Sequence, residues 1–169
     1  MQPKAAHSPP SSPTQNAERA TEAMARFWMD ESGRRLSREP VPAGAEVWDL
    51  YGTLRTRYVY LVENGVPAAY QTRSLPWQEN PSAYHQILVT GDCQRIHDAY
   101  LRSTDAALRQ DLEALVEIGY YAWDSPIYAG TVAPAFGDPG GATQLTLPLP
   151  LEFYLRLGLV RELDLGDAR

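Results

Sequence analysis

Residues 129–144, AGTVAPAFGDPGGATQ, constrain the fold of this chain more than any other segment. Gly130, Gly137, Gly140 and Gly141 are interspersed there with Pro134 and Pro139. A helix cannot run through such a stretch, because proline lacks the N–H donor and clashes with the preceding turn, while an interior glycine costs about 1 kcal/mol relative to alanine. The flanking residues are β-branched, aromatic or apolar, so the segment reads as a loop between two strands. Glycines let a backbone approach a ligand closely and prolines stiffen the turn, yet a tight β-loop without a ligand has the same composition. Gln144, polar and placed at the start of the following strand, is the side chain that turns this loop into a candidate site.

The chain as a whole can bury a core. It has 169 residues, of which 44% are hydrophobic and 21% charged, in keeping with one domain and a tail. Residues 1–15, rich in proline, serine and glutamine, read as a disordered leader. Residues 16–46 read as a helix capped by Asn16, followed by a Pro/Gly linker. The main domain then spans 47–169. Within it, strands are expected at 57–62, 84–89, 120–128, 130–133, 143–147 and 159–163, with 69–75 pairing back as another. Residues 93–118 switch to helical period: Ile96, Tyr100, Leu101, Leu108, Leu112, Leu115 and Val116 share one stripe, and Gly119 stops it. This reads as one amphipathic helix, an insertion over about 92–119, on the outside of the sheet. A short helix is expected at 151–157. Short strands with segregated helices favour an α+β class.

Several function classes are disfavoured. A net charge of −6 argues against nonspecific binding to nucleic acid or anionic lipid. The single Cys93 rules out an intramolecular disulfide framework, and no apolar run approaches the ~20 residues that span a bilayer. The N-terminus has no apolar signal region, so the expectation is a soluble protein made in the cytoplasm without a signal peptide, exported, if at all, by a specialised route. GxSxG, GxxxxGK[ST], HExxH and GxGxxG are all absent. His7, His85 and His97 have no metal-ligand spacing, so no metal site is expected. Cys93 at a turn-to-helix start and the Glu113/Glu117 pair read as structural or solvated residues.

The glycine-rich segment resembles the signature G-x-I-A-P-W-F-G-Q-P-G-G-G-x-Q of the tuberculosis necrotizing toxin (TNT) domain family of NAD⁺ glycohydrolases. In the expected order, Trp48-Asp49-Leu50-Tyr51-Gly52 is similar to that family's D-R-[FY]-G. Residues 70–76, YQTRSLP, are similar to F-x-x-R-A-L-P, Tyr84-His85 to its Y-H pair, and residues 151–160 to its closing segment. The resemblance covers about residues 47–163. It implies a compact domain around a central twisted, mainly antiparallel sheet. Leu50 stands where the entry motif has arginine, which makes Arg55 or Arg57 the candidate substitute and predicts that Leu50→Arg tightens NAD⁺ binding. Ala135, Asp138 and Ala142 also depart from the signature.

The implied reaction is hydrolysis of the nicotinamide–ribose bond of NAD⁺, and of NADP⁺, to nicotinamide and ADP-ribose, with NAD⁺ as substrate and no cofactor. Nicotinamide leaves a cationic ring as a neutral molecule, so no general acid is needed and the barrier lies in an oxocarbenium-like ribosyl centre. By resemblance, Gln144 orients ribose and water, and Arg73 clamps the diphosphate. Tyr51, Arg57, Phe136, Gly140 and Gly141 are the expected substrate-binding residues, Tyr51 and Phe136 by stacking. The family also implies a bacterial toxin or effector held in check by an immunity protein. The alternatives are an NAD- or ADP-ribose-binding or protein-interaction module without turnover, and an ADP-ribosyl transferase or cyclase.

Overall fold

The run Val47-Trp48-Asp49-Leu50-Tyr51 alternates residues of opposite preference, and a strand sends such residues to opposite faces. In the computed structural model, which describes residues 46–165, that run is the strand β1 (Val47–Tyr51). The expected leader lies outside the described residues, as does the N-terminal helix and linker except for Glu46. β1 pairs with β2 (Tyr58–Leu61) on one side and β3 (Tyr84–Val89) on the other. With β4 (Tyr128–Thr131), β5 (Thr143–Thr146) and β6 (Val160–Glu162) they form a six-stranded sheet of order β4-β5-β2-β1-β3-β6. Every neighbouring pair is antiparallel. Three helices, α1 (Ile96–Arg102), α2 (Ala106–Glu117) and α3 (Leu151–Arg156), complete an α+β architecture.

One face of the sheet carries the main core. Trp48 and Leu50 of β1, Val59 of β2, Ile87 and Val89 of β3, and Leu145 of β5 are all buried in it. The helices close it from the same side through Ile96 and Ala99 of α1, Leu108 and Leu112 of α2, and Leu151 and Tyr154 of α3. The helical segment at 93–118 is therefore a supplier of the core and lies across the sheet from Asp49, Tyr60 and Gln144, whose side chains alternate onto the other face. Among the described residues no helix is long and apolar enough to cross a membrane.

Three expected elements differ. The helix at 93–118 is two helices, broken at residues 103–105, where Asp105 caps α2 by accepting from the Leu108 amide at 3.1 Å. Ser, Thr and Asp prefer such caps to helix interiors, and the apolar stripe resumes beyond the break because both helices face the same core. Gly119 does end the second helix, at φ +77, with Gly119 N donating to Val116 O and Tyr120 N to Leu115 O. Residues 69–75 do not pair as a strand. They form a 3₁₀ turn, Tyr70–Arg73, ended by Ser74 at φ +46, and the turn lets the Arg73 side chain reach the sheet. Of 120–128 only Tyr128 joins a strand; Asp124 N donates to the Tyr121 hydroxyl, Ser125 N donates to Ala122 O, and these local bonds compete with a ladder.

The face assignment also reverses the expectation for Leu50. The side chain is 1% exposed and belongs to the main core, whereas its neighbours Asp49 and Tyr51 face the other way. An arginine at position 50 would place an unpaired charge in the apolar core instead of reaching a ligand. Leu50→Arg is expected to cost several kcal/mol and to abolish cooperative folding, read as loss of the thermal transition in circular dichroism.

Candidate functional site

The glycine-rich segment folds as a long hairpin that extends the β4–β5 ladder. Val132 N donates to Ala142 O and Gly141 N to Val132 O, both at 2.9 Å, and the tip closes where Ala135 and Asp138 exchange backbone bonds at 3.2 and 2.9 Å. Gly140, at φ +72, has no room for a side chain: a Cβ there would lie 2.4 Å from Val132 O. Gly141, at φ +112, faces open space but holds a backbone conformation that other residues avoid. Both glycines are thus required by the hairpin's own geometry.

The hairpin tip breaks the rule that a neighbouring turn obeys. Asn64 and Gly65, at φ +54 and +73, form the tip between Glu63 and Val66, and asparagine tolerates the left-handed conformation. At the second tip the equivalent pair is Phe136 and Gly137, at φ +53 and +81. A bulky aromatic pays for that conformation, and Phe136 recovers no burial for it, being 52% exposed.

The hairpin base is tied to the 3₁₀ turn by Ala142 N donating to Thr72 O at 3.0 Å, which brings Arg73 over the sheet. The register beneath it aligns Gln86 of β3 with Asp49 of β1, Asp49 with Tyr60 of β2, and Tyr60 with Gln144 of β5. Asp49 and Gln144 thus share one row, two strand spacings or about 10 Å apart. Arg73 and Asp49 form a fully buried bidentate pair, Nη1–Oδ1 at 2.5 Å and Nη2–Oδ2 at 2.9 Å. Arg73 Nε and Nη2 also donate to Ala68 O, at 3.2 and 2.9 Å.

Tyrosines enclose this pair. The Arg73 guanidinium lies 5.0 Å from the Tyr51 ring centre, 4.8 Å from Tyr60 and 5.9 Å from Tyr84. The Tyr84 hydroxyl donates to Asp49 Oδ2 at 2.7 Å and accepts from Gln86 Nε2 at 2.9 Å, while the Tyr60 hydroxyl donates to Arg73 O. Burial works against charge on Arg73, but the hydrogen bonds and charge of Asp49 outweigh it and raise its pKa. Burial, then hydrogen bonding to Glu79, pushes the Tyr51 hydroxyl up to about 12; burial is the main cause of a like rise to about 12 at Tyr84. These hydroxyls are neutral donors at any physiological pH.

The expected site residues fall into separate groups. Gln144 is 1% exposed, and its Oε1 is buried without a hydrogen-bond partner, a condition that costs about 1–3 kcal/mol. Arg73 and Tyr51 share the face with Gln144, but the nitrogens of Arg73 are engaged by Asp49 and Ala68, so the guanidinium holds the site together instead of being presented to a diphosphate. Tyr51 packs edge-on against Tyr70 at 5.0 Å and donates to Glu79 at 3.0 Å. Arg57 is not brought to the site: its Nε donates to Leu147 O at 2.9 Å and its guanidinium lies over Tyr120, on the core side. Asp49 and Tyr84 lie in segments that carry the resemblance but had no expected role, and Tyr60 and Gln86 were not expected at the site. The available signal was the alternation at 47–51, which places a carboxylate on a strand between two core residues.

Neither a protein-family model nor a curated protein sequence matches the chain. Among solved structures, it is similar to tuberculosis necrotizing toxin complexed with its immunity factor IFT, at 16% identity and a TM-score of 0.48, over 95% of this chain and 92% of that one.

Two outcomes follow from the geometry. Arg73→Ala strands the Asp49 carboxylate in a buried position and should destabilise the fold by about 3–5 kcal/mol in denaturant titration, a loss too large for a surface ligand clamp. Phe136→Asn relieves the strained tip and should raise stability by about 1 kcal/mol in the same measurement.

Proposed function

We propose that the protein is an NAD⁺ glycohydrolase, acting also on NADP⁺, that uses Gln144 at the base of the glycine-rich hairpin. The observation that carries this reading is the buried, partnerless Oε1 of Gln144, set at the end of a segment that resembles the TNT signature. An amide oxygen in that condition accepts from a ribose hydroxyl or an incoming water, and the amide nitrogen can donate in the same pose. The water oxygen bonds to the anomeric carbon as the carbon–nitrogen bond breaks, its electron pair passes to the nicotinamide nitrogen, and the water proton is released to solvent. Nothing in this step requires a general acid. The residues act by orienting and by excluding water, contributions that positioning alone makes large.

Phe136 and Tyr51 supply aromatic surfaces for the nicotinamide or adenine, with the exposed Phe136 ring the freer of the two. Arg73 takes a positioning role, holding Asp49, Tyr60 and Tyr84 beneath the hairpin. The hydroxyls of Tyr51, Tyr60 and Tyr84 are already given to Glu79, Arg73 O and Asp49, which leaves the diphosphate to the backbone amides of the hairpin. In keeping with the resemblance, the protein acts as a toxin or effector and pairs with an immunity protein.

A specific observation favours a second reading, a protein-interaction module without turnover: the internal pairing of Arg73 removes the diphosphate clamp that the resemblance assigns to it. Incubating the purified chain with NAD⁺ and following nicotinamide and ADP-ribose by chromatography separates the two, and cyclic ADP-ribose or a labelled acceptor protein would reveal cyclase or transferase activity. Gln144→Leu should lower nicotinamide release at least 100-fold while the melting temperature stays within a few degrees of wild type, because the removed oxygen has no protein partner to lose. Full activity in that variant would move the site elsewhere.

A further inference from the structure

Thr146 repeats the condition of Gln144 two residues along the same strand. It is 7% exposed, and its Oγ1 is buried without a hydrogen-bond partner. The period of a strand places both side chains on the face away from the main core, about 7 Å apart. The residues on either side, Leu145 and Leu147, fill that core. The register sets Thr146 between Tyr58 of β2 and Tyr128 of β4. Valine has the same shape and an equal preference for strands, so packing and propensity alone call for no hydroxyl here. A hydroxyl taken from water and given no partner destabilises the fold, and the two orphaned oxygens stand side by side on one strand face.

We propose that Thr146 is a second positioning residue of the Gln144 site, its hydroxyl hydrogen-bonding a hydroxyl of the ligand, a pentose bound across β5. The inference rests on the glycohydrolase reading for the identity of that pentose, the nicotinamide-side ribose of NAD⁺. Gln144 Oε1 and Thr146 Oγ1 then take neighbouring hydroxyls of one sugar. Thr146 carries no charge and no acid–base role, so its contribution is to binding and orientation.

The test compares the full chain with Thr146→Val and Thr146→Ser. Thr146→Val should melt at or above the wild-type temperature and should raise KM for NAD⁺ about fivefold, the loss of one neutral hydrogen bond, whereas Thr146→Ser should restore the wild-type KM. A Thr146→Val protein with unchanged KM and kcat overturns the proposal, and so does one that melts well below wild type, since the hydroxyl would then serve the protein itself. Should the wild type release no nicotinamide, the glycohydrolase reading fails, and calorimetric titration with ADP-ribose decides for Thr146. Weaker binding by the valine variant than by wild type upholds its role. Equal binding, or none by either protein, overturns it.

Discussion

The buried pair of Arg73 and Asp49 is the interaction on which the polar face of this molecule depends. A fully desolvated ion pair is a poor source of net stability, because the desolvation of both charges consumes most of their attraction. Its effect is to fix geometry. Arg73 cannot leave Asp49, so the 3₁₀ turn must sit over β1, and the Ala142 amide that donates to Thr72 O holds the hairpin base to that turn. Tyr51, Tyr60 and Tyr84 then close around the guanidinium, and Gln86 holds Tyr84 in turn. One ion pair thus links four segments that are distant in sequence: β1, β3, the turn and the glycine-rich hairpin.

The two faces of the sheet divide the labour. The helix-covered face holds apolar residues from five strands and three helices and supplies the stabilising burial. The other face has a small apolar cluster of Tyr60, Val132 and Ala142, with Ala68 and Leu75 against it, and is otherwise organised by hydrogen bonds. A face held by directional bonds keeps its buried polar side chains in fixed positions. It also explains why α1 and α2 cannot close over Gln144: their apolar stripes are spent on the opposite side.

Much of this was legible in the residues. The aromatic and apolar run at 57–62 and the strand at 84–89 follow local rules, and the structure places β2 and β3 at or within a residue of those bounds. The glycine-rich segment was readable as a loop between strands, and its hairpin form follows from the pairing of β4 with β5. What the sequence hid was long-range. The break between α1 and α2 was signalled by Ser103-Thr104-Asp105 but masked by an apolar stripe that continues across it. The fate of 69–75 was decided by Asp49, more than 20 residues away, since a strand there would have carried Arg73 off the sheet. The resemblance pointed to Arg73 and Gln144 as residues of one site, but neither it nor the local pattern revealed that Arg73 already has a partner.

The residues that break local rules gather on one face and at one end of the sheet. Phe136 and Ser74 hold left-handed conformations that suit neither, and Gln144, Thr146 and Ser74 bury polar atoms without partners. Asp49 and Arg73 bury charges that apolar residues could replace. The helix-covered face is not wholly free of such features: Trp48 Nε1 and the Tyr154 hydroxyl lack partners there and Asp124 is left-handed, so orphans or outliers alone do not define a site. Aspartate tolerates that conformation, however, and an indole N–H is a common passenger of a large apolar side chain. The polar face differs in carrying orphaned polar atoms beside a buried ion pair and its hydrogen-bonded tyrosines. Sequences that fold cooperatively satisfy their local preferences, and the exceptions concentrate where selection acts on something other than stability. By that argument the region bounded by the Phe136 hairpin, the Arg73 turn and β5 is where the proposed activity is to be sought, and the helices behind it are its support.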